Sequence, residues 1–166
     1  EEFLVLLINT GKDEAWALAD AMRYRSAIHD VDMENALRAC VNAEHTRVAS
    51  FLNLTATVEH VRAAAPENLV LVCSGTYEEA ALEDTLAAGA LADALWEKYD
   101  ECDDATQTAR LLFTSAPVEE TILQAKNAQR LLSLPDLAAD VEHCLQIDRY
   151  PFSATVAANG MIRQNA

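Results

Sequence analysis

The residues best placed to do chemistry lie just after an apolar run. Residues 69–73 (LVLVC) read as a buried strand, and Ser74-Gly75-Thr76 follow as the turn into a helix. In open α/β sheets, ligands bind outside the carboxyl ends of strands. Two hydroxyls and a row of backbone N–H groups at that place suit an oxyanion. An ordinary strand-ending turn would have the same composition. It is not a P-loop, because the Lys and the second Gly of that motif are missing.

The helix expected over 79–99 adds a carboxylate. At about 100° per residue, Glu79, Glu83, Asp93 and Glu97 gather on one face as a solvated acidic stripe. Asp84 falls instead among Ala81, Ala88, Leu91 and Leu95, on the apolar face. An ionised carboxylate turned to a core is costly unless it is paired, hydrogen-bonded or bound to metal. Asp84 therefore needs a partner. Backbone N–H groups would satisfy it, and so would a metal ion or an acid/base role beside the Ser74–Thr76 turn. Glu83 reads as surface charge on the wheel, yet as the neighbour of Asp84 it is the second candidate catalytic carboxylate. Asn53 follows the strand expected over 47–52. It reads first as a helix cap, with Thr55 as the alternative, and second as a substrate ligand. Asp148 and Arg149 read as a surface turn with a local ion pair.

Other chemistries find less support. There is no GxSxG elbow for a Ser/His/Asp triad. Cys40, Cys73, Cys102 and Cys144 show no CxxC spacing, and the four histidines (29, 45, 60 and 143) stand at no zinc-ligand interval. The cysteines read as reduced thiols, mostly buried. Cys73 and Cys144 in particular read as buried, with no flanking Lys or Arg to lower their pKa.

The elements that must position these residues alternate. Residues 3–8 (FLVLLI) read as a strand buried on both faces, and helices are expected over 13–22 and 34–43. A further helix follows Asn53 and ends near Ala65, before Pro66. Residues 103–146 read as helical with breaks near Pro117 and Pro135, and residues 153–162 as an edge strand. Gly89, inside a helix, points to close packing of another element. Strand–helix alternation predicts an α/β fold with a mainly parallel or mixed sheet and helices on both faces. At 166 residues the chain suits a single domain over 1–166, with no repeat or linker.

Charge bounds the partners. The chain carries 12 basic and 27 acidic residues, a net −15. That argues against nucleic acid and anionic membranes, whose affinity comes from Lys and Arg on phosphates. A small anionic substrate stays open, because one metal ion reverses the local sign. The opening Glu1-Glu2 resembles no signal peptide and no apolar run nears membrane-helix length, so a cytoplasmic location is expected. The 4 Gly and 4 Pro fall below the roughly 12 and 8 of average usage.

At these same residues the chain resembles a known family. Ser50-Phe51-Leu52-Asn53 is similar to its SFLN segment. Cys73-Ser74-Gly75-Thr76, Leu82-Glu83-Asp84 and Ala87-Ala88-Gly89-Ala90 resemble its C-A/S-G-T, L/S-x-E-D and A-G-A pattern. Asp140-Val141-Glu142-His143-Cys144 with Asp148 is similar to its D-[VI]-x-x-C…D stretch. The family is the 2-phosphosulfolactate phosphatases. The resemblance implies Mg²⁺-dependent hydrolysis of 2-phosphosulfolactate to sulfolactate and phosphate, a step toward coenzyme M in methanogens. It implies Asp84 as metal ligand, Glu83 beside it, and Ser74, Gly75, Thr76 and Asn53 around the substrate. A homodimer is the candidate assembly. The alternative is a non-catalytic binding or assembly protein on the same scaffold.

The family's D-x-x-R-A-T/S, G-E-R-G/A and T-T-N-G-T segments have no counterpart here, and Asp30 to Glu34 (DVDME) stand where the last would fall. Chain junctions are accordingly expected before Glu1, within 24–32 and near Met33-Glu34, with Cα separations well above ~3.8 Å.

Overall fold

The computed structural model describes residues 5–9, 40, 43, 45–76, 79–157 and 162–165. The helices expected over 13–22 and 34–43, and the junctions expected up to Glu34, lie outside the described residues, apart from Cys40 and Ala43. The apolar runs form strands β1 (Val5–Asn9), β2 (His45–Ala49) and β3 (Val70–Cys73). After β2 a 3₁₀ turn, Phe51–Asn53, leads into helix α1, Leu54–Ala64. Ala65, at φ 46° just before Pro66, ends that helix.

Helix α2 (Leu82–Leu95) runs into a 3₁₀ turn at Trp96–Lys98. Next come α3 (Asp104–Ser115), α4 (Val118–Leu123), α5 (Lys126–Leu132) and α6 (Ala138–Cys144). The breaks fall at Pro117 and around Pro135, where a missing N–H and a fixed φ stop a helix. The tail supplies two strands, β4 (Ser153–Val156) and β5 (Ile162–Asn165).

The strands lie in the order β3-β1-β2-β4-β5, and every ladder is antiparallel. This corrects the expected mainly parallel or mixed sheet. β2, α1 and β3 do make the strand–helix–strand unit that alternation predicts. β2 and β3 run the same way, since each is antiparallel to β1. But β1 lies between them, so β2 and β3 do not pair with each other. Alternation sets the direction of successive strands and leaves their neighbours to long-range pairing.

α1 packs on β2 and β4, α2 packs on β3 and β1, and the two helices touch each other. Among the described residues, helices cover that one face of the sheet. One apolar cluster joins Ala49 and Phe51 to Val58 and Val61 of α1, to Leu86 and Leu91 of α2, and to Ile122, Leu131 and Val141 beyond. α2 is its axis. α3 crosses α2 at Gly89, where an added Cβ would collide with the Ala109 carbonyl and stand 2.8 Å from Phe113 Cβ. The glycine is there for contact. No helix among the described residues is long and apolar enough to cross a membrane.

Candidate active site at the end of β3

β3 ends at Cys73, and the chain turns through Ser74, Gly75 and Thr76. Thr76 N–H donates to the Glu79 carbonyl at 3.0 Å, and Glu79 N–H returns a bond to the Thr76 carbonyl at 3.1 Å. Gly75 sits at φ 74°, and a Cβ there would be 2.7 Å from the Glu79 oxygen. Both conditions require glycine. Closing this turn takes Glu79 out of the helix, which starts only at Leu82. Glu83 and Asp84 therefore occupy the first helical turn, where the backbone dipole favours negative charge.

Asp84 is 3% exposed. Its Oδ2 accepts a 2.8 Å bond from Gly75 N–H and a 3.2 Å bond from the Ser74 hydroxyl. The nearby Ser74 amide lowers its pKa slightly. The apolar helical face thus does carry a buried, partnered carboxylate. Burial pushes its pKa up, the Gly75 bond opposes that, and the Glu83 charge raises it further, to about 6. The group is mostly a carboxylate at neutral pH but takes up its proton only slightly below it.

Glu83 corrects the wheel. It is 2% exposed, not a surface charge. The wheel presumes a solvated face, whereas α2 is covered all round: Leu86, Ala87, Ala88, Ala90, Leu91 and Ala92 are all buried. Two consecutive carboxylates are therefore buried at one helix start. Among the described residues, no cationic side chain is one of the groups acting on Asp84.

The turn itself is less open than expected. The Gly75 N–H donates to Asp84, and that of Thr76 to the Glu79 carbonyl. Two of the amides that could cradle an oxyanion, those of Gly75 and Thr76, are bonded within the chain. Cys73 was expected to be buried and is exposed, because it ends an edge strand; Cys144 is buried, and no disulfide links the cysteines. Burial of the thiol group and the Asp84 charge push the Cys73 pKa up to about 12, which makes it a poor nucleophile.

Asn53 belongs to the other junction. Its Oδ1 accepts from Ser50 N–H at 2.9 Å and its Nδ2 donates to the Val48 carbonyl at 3.2 Å, so both ends of the amide close the β2–α1 turn. The cap of α1 is a residue that local reading missed. Asp148, at φ 56°, accepts from Thr55 N–H and from the Thr55 hydroxyl, both at 2.6 Å. Arg149 bonds Gln146 rather than Asp148. The expected local ion pair is thus replaced by a clasp between distant segments. The only sequence signal for it was the Asp in the family-like stretch. Ser74, Gly75, Glu83 and Asp84 come together; Asn53 is not hydrogen-bonded to them.

A family model described as 2-phosphosulpholactate phosphatase matches residues 32–158. Two similar proteins named probable 2-phosphosulfolactate phosphatase are from Thermotoga. That of Thermotoga petrophila is 36% identical over 73% of this chain and 52% of its own length. That of Thermotoga maritima is 36% identical over 66% and 47%. A protein of the same name from Deinococcus radiodurans is 29% identical over 68% and 47%. The chain spans about half the length of the curated relatives it matches.

Proposed function

The chain belongs to the 2-phosphosulpholactate phosphatase family, and from that premise we propose that it carries part of an Mg²⁺-dependent phosphoric monoester hydrolase. The substrate is 2-phosphosulfolactate, and the products are sulfolactate and phosphate. The observation that carries this reading is Asp84: a buried carboxylate at the carboxyl end of a strand, bonded by the Ser74–Gly75 turn.

The donor set fits Mg²⁺. Among the described residues no group of three or more His, Cys, Asp or Glu gathers, as a structural zinc site would require. Mg²⁺ takes one or two carboxylates and fills its remaining positions with water and substrate phosphate. Asp84 would hold it, and Glu83 would add negative charge beside it. When bound, the ion would neutralise phosphate oxygens and polarise water. Ser74 and Gly75 fix the orientation of Asp84. The Thr76 hydroxyl, half-buried in the same turn, would donate to a substrate oxygen. Asn53 acts as a positioning residue in the adjacent turn.

Phosphate release from 2-phosphosulfolactate by the full-length protein tests this. Release is expected with Mg²⁺, not with chelator, and not in Asp84→Asn. No release with Mg²⁺ would overturn the proposal. Commitment of the turn amides within the chain favours one alternative, a non-catalytic binding or assembly protein. Substrate binding without phosphate release would identify it.

A further inference from the structure

On the helix-covered face of the sheet, away from Asp84, the chain gathers basic side chains. Arg47 stands in the middle of β2 and is 8% exposed. Thr155 of β4 faces it across the ladder, and its hydroxyl accepts a 2.9 Å bond from Arg47 Nη1. Ser153, two residues earlier on the same face of β4, is buried and meets Nδ1 of His60 on α1 at 3.2 Å. His45 shares the face of Arg47, two residues before it. Burial, then the charges of Arg47 and His45, hold the His60 imidazole below its usual range.

A guanidinium has five donors. Among the described residues Arg47 uses one, on a neutral hydroxyl, and no carboxylate pairs with it. In a chain of 27 acidic residues an acid could readily have stood opposite. A buried charge without a counter-charge is costly. A buried hydroxyl lies on the stripe of α1 that carries His60. Thr57, one turn before His60, is fully buried and its hydroxyl has no partner.

We propose that Arg47 and His60, with the hydroxyls of Thr155 and Ser153, bind a small tetrahedral oxyanion, sulfate or inorganic phosphate. The planar guanidinium matches two oxygens of such an ion. His45 is exposed and His60 and Thr155 are half-buried, which gives the cluster a solvent side while Arg47 stays covered. β1 lies between β2 and β3, so two strand spacings of roughly 4.8 Å each separate Arg47's strand from the strand that leads to Asp84. The site is independent of the phosphatase reading.

Calorimetric titration of the full-length protein with sodium sulfate, at ionic strength held constant with chloride, tests it alongside histidine-ring NMR. Wild type and Asp84→Asn are expected to bind sulfate saturably and to shift the His60 ring resonances. Saturation separates binding from general salt stabilisation. Arg47→Met is expected to bind at least about tenfold more weakly. Phosphate should reproduce the His60 shift. The NMR arm uses unmodified protein, so it decides even if Arg47→Met fails to fold. His60 resonances that stay fixed through sulfate addition would overturn the site. So would binding that survives in Arg47→Met but is lost in Asp84→Asn, which would assign the anion to the Asp84 site.

Discussion

The two strand-to-helix junctions use the same chemistry in different surroundings. At the start of α1, Asp148 accepts the N–H and hydroxyl of Thr55. At the start of α2, Asp84 accepts the Gly75 N–H and the Ser74 hydroxyl. Each carboxylate ties down a backbone that has just left a strand. Asp148 is exposed, and water could take over its bonds. Asp84 is buried beside a second buried carboxylate. Holding a turn requires no burial, so burial is what separates a fastening from a group with stored proton affinity.

Substitutions should break the pair unequally. In the full-length enzyme Asp84→Asn is expected to lower kcat by about 100-fold or more, the scale of a lost metal or charge-stabilising contact. Glu83→Gln should fall well short of that, and Asp148→Asn should stay within about twofold. Equal losses at Asp84 and Asp148 in a phosphate-release assay would erase the distinction.

Stability against pH sharpens it. Asp84 rises from 3.8 to about 6 on folding, a raised acid, so the folded state holds the proton more tightly than the unfolded chain. Its contribution is fully present below pH 3.8 and is lost as pH rises through about 6. At 1.36 kcal/mol per unit that amounts to about 3 kcal/mol. Urea denaturation without Mg²⁺ should therefore show wild type losing stability relative to Asp84→Asn between pH 4 and pH 7. Parallel pH curves would contradict the shift.

Smaller effects follow from the backbone. Gly75→Ala should cost about 2 kcal/mol, from a left-handed φ and contact with the Glu79 oxygen. Asp148→Ala should cost about 1 kcal/mol as a lost helix cap, with turnover preserved. Denaturation midpoints measured side by side would check the order.

What was legible in the sequence was local. The apolar runs became β1, β2 and β3, Pro117 and Pro135 marked helix breaks, and Gly89 marked a helix crossing. Asp84 was legible because Ala88, Leu91 and Leu95 share its helical face. Glu83 was not, since its burial comes from the neighbours that surround α2. β2 and β3 run the same way, as alternation predicts, but β1 inserts between them, a pairing that spans much of the chain. Asp148 lies 93 residues from Thr55, beyond any local pattern. Arg47 was not legible, because the strand expected over 47–52 begins with it, whereas β2 runs from His45 to Ala49 and sets it in the middle.

The most direct measurement is the titration of the Asp84 carboxyl carbon by NMR in the full-length protein, without and with Mg²⁺. An inflection near pH 6 is expected in the metal-free protein, moving down when Mg²⁺ is added because the ion favours the carboxylate. An inflection near pH 4 that ignores Mg²⁺ would contradict both the buried acid and its role as metal ligand.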